Sequence, residues 1–199
     1  MRLKSALFWC IFSFLLTVLF VPIVGSQGLK SSSDQEHKFE INLDLGYFFP
    51  LRGGFREYYG SDLRYGGGIS YNILEKIGVG ADFSYTKLKK SEYPVKFKMY
   101  ALVPFLAWKP LREDEHLYLG GGLGYYDANV TLLVERTEYK QKNKGVGLIG
   151  FVGLKIGVSD AILLKLEGRM DHTFLGNPQI GDFGNVGGLN LIGKVGITF

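Results

Sequence analysis

From Phe39 to the C-terminal Phe199, apolar and polar residues exchange at every second position in eight successive runs. In the first, Phe39, Ile41, Leu43, Leu45, Tyr47 and Phe49 alternate with Glu40, Asn42, Asp44 and Gly46. An extended strand with one apolar and one polar face produces that split, and a helix cannot. The second run sets Leu63, Tyr65, Ile69, Tyr71 and Ile73 against Arg64, Ser70 and Asn72, and the third sets Ile77, Val79, Ala81, Phe83 and Tyr85 against Asp82, Ser84 and Thr86. The fourth places Val95, Phe97, Met99, Ala101, Val103, Phe105 and Ala107 opposite Lys96, Lys98, Tyr100 and Trp108. Leu119, Leu123 and Tyr125 define the fifth. The sixth is mixed, with Ile149 and Phe151 on the face opposite Val152 and Leu154. The seventh has Ile162, Leu164, Leu166 and Met170 against Lys165, Glu167, Arg169 and Asp171, and the eighth ends on Leu189, Leu191, Val195, Ile197 and Phe199 against Asn190, Lys194 and Thr198. The pattern predicts eight strands and no amphipathic helix.

The connections alternate as well. They are short or compact after even strands, at 74–76, 109–116 and 158–160, and longer and polar after odd strands, at 51–61, 87–94, about 127–144 and 173–184. Short turns at one end and long loops at the other describe an all-β, eight-stranded, antiparallel up-and-down barrel inserted from one side of a membrane. The competing architecture is a soluble barrel with its apolar face turned inward around a greasy ligand. The crowded polar face decides between them. Glu40, Asp44, Asp82 and Glu167 share that face with Arg64, Lys98, Lys165, Arg169 and Lys194. A lumen of eight strands is only wide enough for side chains, so these nine residues are expected to pair across it. Tyr47, Phe49, Tyr85, Phe97 and Phe199 lie toward strand ends, where an interfacial aromatic girdle is expected.

The N-terminus adds an export signal. Arg2 and Lys4 precede an apolar run from Ala6 to Val24, followed by small Gly25 and Ser26 and a polar stretch. That order predicts a signal peptide over residues 1–26, a short periplasmic segment over 27–38 and a barrel over 39–199. An uncleaved anchor is the alternative. Cleavage removes Cys10, the only cysteine, so the mature barrel is expected to hold without disulfides. The formal net charge of +4 is not concentrated in a basic run, so nucleic acid is not an expected partner. Glycine, 28 of 199 residues, is about twice the usual share and without collagen period, as expected of a tightly curved wall.

The exported start, the eight alternating strands, the segment Leu119-Gly120-Gly121-Gly122-Leu123-Gly124-Tyr125-Tyr126 and the closing Gly193-Lys194-Val195-Gly196-Ile197-Thr198-Phe199 resemble the small eight-stranded outer-membrane barrels of Gram-negative bacteria, the superfamily of OmpA, OmpX and OmpW. The resemblance implies the cell outer membrane, with both termini in the periplasm. It also implies that the assembly machinery of that membrane reads the last strand, with Ile197 and Phe199 as the signal. Outer-membrane lipids, lipopolysaccharide included, are the other expected partners, because Arg52, Arg56, Lys87, Lys89, Lys90, Arg136, Lys140, Lys142 and Lys144 lie in the expected loops and cations of this kind bind lipid phosphates. A monomer is expected.

Three functions from different classes follow. One is a structural, surface-interaction scaffold that displays its loops. Another is a narrow channel for ions or small apolar solutes, as a likeness to OmpW implies. The third is a membrane-embedded, lipid-modifying enzyme. Of the three histidines, His37 lies ahead of the first strand and His116 beside a short turn, while His172 reaches a loop end with no serine motif near it. No catalytic residue, cofactor or metal site is therefore expected. Glu113-Asp114-Glu115-His116 is consecutive in a turn and does not converge on an ion, and Gly120 to Gly124 lacks the Lys-Ser/Thr of a phosphate loop. Mass spectrometry of the exported protein is expected to find an N-terminus near Gln27; an intact Met1 would establish the anchor instead.

Overall fold

The structure, a computed structural model, describes residues 39–51, 53–89, 95–110, 116–134, 137–159, 161–176 and 184–199. The segment 1–38, with the expected signal peptide and periplasmic segment, lies outside the described residues. Eight strands, β1 (Phe39–Pro50), β2 (Asp62–Leu74), β3 (Ile77–Lys89), β4 (Val95–Trp108), β5 (Leu117–Val134), β6 (Thr137–Gly157), β7 (Ile162–Phe174) and β8 (Asn185–Thr198), form a closed barrel in sequence order. Every neighbouring pair is antiparallel, and β1 pairs with β8 from Glu40 opposite Thr198 to Pro50 opposite Gly188. The seam is fastened at its end by Phe199, whose amide donates to the Phe39 carbonyl at 2.9 Å while the Phe39 amide donates back at 3.3 Å. Closure removes every free edge within the barrel wall, which a sheet in lipid requires because no water is there to satisfy unpaired backbone.

The outward face is apolar around the whole circumference. Leu43, Leu45, Leu106, Leu123, Leu148, Leu166 and Leu191 all stand on it, exposed. A soluble monomer does not leave so continuous a patch in water. The fold is a transmembrane β-barrel.

One strand faces the other way from its expected setting. In β4 the buried residues are Val95, Phe97, Met99, Ala101 and Val103, whereas Lys96, Lys98, Tyr100 and Leu102 are exposed. Lys98 is therefore not part of the lumen, and Phe97, completely buried, is not part of the outer girdle. The alternation in β4 is ambiguous over its lower half, where Tyr100, Leu102, Leu106 and Trp108 make the second face apolar too. Register settles the phase: Lys98 sits opposite Lys87 of β3 and Asn129 of β5, both on the outward side. A one-residue slip would turn every side chain of β4 over.

Two connections also differ from expectation. The connection after β1 contains a helix, α1 (Gly53–Tyr59). Phe55 and Tyr59, four residues apart and so on one helical face, are buried against Phe97 with ring centroids 5.0 and 5.3 Å from it. Burial pushes the Tyr59 phenol up to about 12. Gly60, at φ 63°, ends the helix in the left-handed region, and its amide donates to the Arg56 carbonyl at 3.2 Å. Seven residues are too few for a helical period to stand out in sequence. The second difference is at residues 127–134 and 137–144, which are strand and not loop: β5 and β6 pair from Leu117 opposite Leu154 up to Val134 opposite Thr137. Ala128 and Val130 continue the buried alternation, but polar residues fill the other face because it rises above the hydrocarbon core. At 18 and 21 residues these strands exceed the roughly 10 that span a bilayer.

The two sides of β4 give a direct test. Phe97→Ala is expected to destabilise the refolded barrel by about 3 to 5 kcal/mol. Lys98→Ala should stay within about 0.5 kcal/mol. Urea titrations that rank the two in the opposite order would return β4 to the setting expected from sequence.

Candidate functional site: the filled lumen

Inward-facing residues divide the lumen into two tiers. Toward the loops it is apolar, with Phe48, Phe97, Met99, Tyr126, Val130 and Leu175 packed together under α1. Below that lies a belt of charge. Arg169 of β7 and Asp82 of β3 form its centre, and these strands stand four places apart in a ring of eight, so their ion pair bridges opposite walls. Arg169 also donates through Nε to Glu167 Oε1 at 2.8 Å. Lys194 of β8 reaches Asp82 at 3.2 Å and Glu167 at 3.1 Å, with Asp44 of β1 at 4.0 Å. Tyr118 of β5 donates its hydroxyl to Glu167 at 3.1 Å. The Arg169, Asp82 and Glu167 side chains are almost wholly withdrawn from solvent.

Two smaller groups flank the centre. Arg64 of β2 lies 3.7 Å from Asp171, which also accepts from Asn190 at 2.8 Å. Toward the short turns, Glu40 pairs with Lys165 and lies 3.6 Å from Lys155. Glu40, Asp44, Asp82, Glu167 and Asp171 thus face Arg64, Lys155, Lys165, Arg169 and Lys194, and the formal charges cancel. Neutrality matters here because a charge in a narrow low-dielectric space is tolerated only with its partner.

The structure brings together Glu40, Asp44, Arg64, Asp82, Lys165, Glu167, Arg169 and Lys194 of the expected set and leaves Lys98 outside. It adds Asp171, Lys155, Asn190 and Tyr118. Asp171 carried a readable signal, since it continues the polar face of β7 two residues beyond Arg169. Tyr118 carried none, because an aromatic residue on a polar face reads equally as packing. Ile197 and Phe199 stand outward and exposed at the short-turn end of the seam.

The wall glycines make room for this content. A Cβ on Gly153 would run into the Tyr118 ring, one on Gly120 into Phe151, one on Gly188 into Phe48 and one on Gly68 into the Asp82 carboxylate. Gly120 and Gly124 are part of β5, and a Cβ on Gly124 would run into the Tyr126 ring. The remaining chemistry is sparse. His116 Nδ1 lies 2.7 Å from the Lys155 carbonyl at one end of the barrel, and the His172 ring meets Phe174 edge-on at 4.6 Å near the other. Among the described residues no three His, Cys, Asp or Glu gather as a metal site. At the short-turn end, Glu40, Asn42, Tyr118, Lys155 and Lys165 line a small cavity below the charged belt.

This arrangement can be set beside known proteins. No protein-family model matches the chain, and no curated protein matches it in sequence. Solved structures do match. Neisserial surface protein A is 16% identical with a TM-score of 0.54, over 81% of this chain and 97% of that one. Ail, the attachment invasion locus protein of Yersinia pestis, is 16% identical with a TM-score of 0.53, over 82% and 99%. The outer membrane protein OprG from Pseudomonas aeruginosa is 15% identical with a TM-score of 0.53, over 82% and 96%. The chain shares the fold of these small outer-membrane barrels. At such identity the likeness carries architecture only.

The belt makes its own prediction. Arg169→Ala would strand Asp82 and Glu167 beside Lys194 alone. Breaking a buried pair costs about 3 to 5 kcal/mol, and water entering from the short-turn cavity should lower that figure. The folded fraction in urea, read by heat-dependent gel mobility, measures the loss.

Proposed function

We propose that this chain is an outer-membrane protein that works as a closed, non-catalytic scaffold, holding its loops and the tall β5–β6 ribbon at the cell surface. The observation that carries the proposal is the ion pair of Arg169 with Asp82 across the lumen, joined by Lys194 and Glu167. These side chains fill the cross-section at mid-height. The apolar tier and α1 occupy the space above them. A solute would have to break both layers to pass. The apolar outer wall and the fold shared with small outer-membrane barrels support the outer membrane as the location. A catalytic role gains no support from His116 and His172, which sit near opposite ends of the barrel.

Conductance in planar bilayers tests the proposal against the channel. The wild type is expected to show no steady current, whereas Arg169→Ala opens at least intermittent leaks. Steady wild-type conductance, with ion selectivity that follows the charge at position 169, would overturn the scaffold in favour of a channel.

A further inference from the structure

We infer that the outward face of β3, β4 and β6 at the loop end is a binding site for the phosphate groups of an anionic glycolipid in the leaflet beside the barrel. The reversed phase of β4 is what assembles it. Lys98 lies directly opposite Lys87, and Lys96 directly opposite Lys89. Across β5 the row continues: Lys98 faces Asn129, which faces Lys142, and Lys96 faces Thr131, which faces Lys140. Lys144, opposite Asp127, completes it. All seven lysines are exposed. Asp127 and Glu138 are the acids in contact with them, through Lys142, Lys144 and Lys140. Among the described residues Lys87, Lys89, Lys96 and Lys98 make no salt bridge.

Directly opposed like charges on a sheet repel one another, so this face is unfavourable until anions reach it. Its height identifies the anions. The lysines begin one pleat above the apolar band, Lys87 after Tyr85, Lys98 before Tyr100 and Lys144 before Val146, and the Tyr85 and Tyr100 rings are 4.9 Å apart beneath the first pair. Aromatic rings of this kind mark the headgroup boundary. The lysines point sideways from the wall just above the hydrocarbon core, so a ligand must lie beside the barrel at headgroup depth, where lipid phosphates are. The site is also one-sided. At the same end, β1 and β2 turn Tyr47, Phe49, Leu63 and Tyr65 outward, and β7 turns out His172 and Phe174.

The inference rests on the membrane-spanning scaffold proposed above, and its failure can be told apart from that of the scaffold. The full-length exported protein, in phosphatidylcholine nanodiscs, is compared with a Lys87→Gln/Lys89→Gln/Lys96→Gln/Lys98→Gln variant for retention of diphosphorylated lipid A, counted by native mass spectrometry. Heat-dependent gel mobility verifies that each barrel is closed, and the pair variant Lys87→Gln/Lys98→Gln stands in if the fourfold variant does not fold. Wild type is expected to retain about tenfold more lipid A than the fourfold variant, with the excess shrinking as salt rises. Lys76→Gln/Lys109→Gln, at the short-turn end, should behave as wild type. Equal retention by wild type and variant, or undiminished retention of lipid A stripped of phosphate, would overturn the site. Stronger binding of a soluble sulfated polysaccharide than of lipid A would also overturn it, assigning the lysines to a polymer in solution.

Discussion

Everything inside this barrel follows from the fact that eight strands enclose a space with room for side chains and not for a column of water. A charged group turned inward needs a partner within that space. Arg169 finds its partner in Asp82 four strands away, and Lys194 ties the same carboxylate to Glu167. The outer wall is governed by lipid and the inner wall by that ion pair. A strand can satisfy both only by alternating, which is why period two runs through nearly the whole chain.

The lumen nevertheless changes character along its length. Where it lies within the bilayer it is charged, and where it rises toward the loops it is apolar, the reverse of what solvent proximity alone would give. α1 explains the inversion. By laying Phe55 and Tyr59 over Phe97, it converts the mouth of the barrel into a small hydrophobic core that excludes water as the interior of a soluble protein does. Such a core does not depend on paired charges, so the upper barrel and the middle barrel are held by different physics.

The strand count, the topology and the outward apolar face of most strands were legible in the sequence, because alternation against a uniform lipid phase leaves little freedom. β4 was not, and the reason is particular. Its lumen-facing residues belong to the hydrophobic plug, so Val95 to Val103 look like a lipid-facing stripe, while Lys96 and Lys98 look lumenal although they face outward above the hydrocarbon core. The alternation rule presumes a polar interior, and α1 removes that premise locally. The helix was itself hidden by its brevity. The β5–β6 ribbon was hidden because strand residues with water on one side and loop residues share a composition.

The rings seated over wall glycines tie the inner surface into reciprocal pairs. Tyr118 rests where Gly153 has no side chain, and its hydroxyl holds Glu167, which holds Arg169. A methyl group added at Gly153 would thus be felt three residues away in that relay, without touching a charge. In the divergence of such barrels each glycine and its ring should change together or not at all, so that sequence variation along the inner wall is inherited by couples and not by single positions.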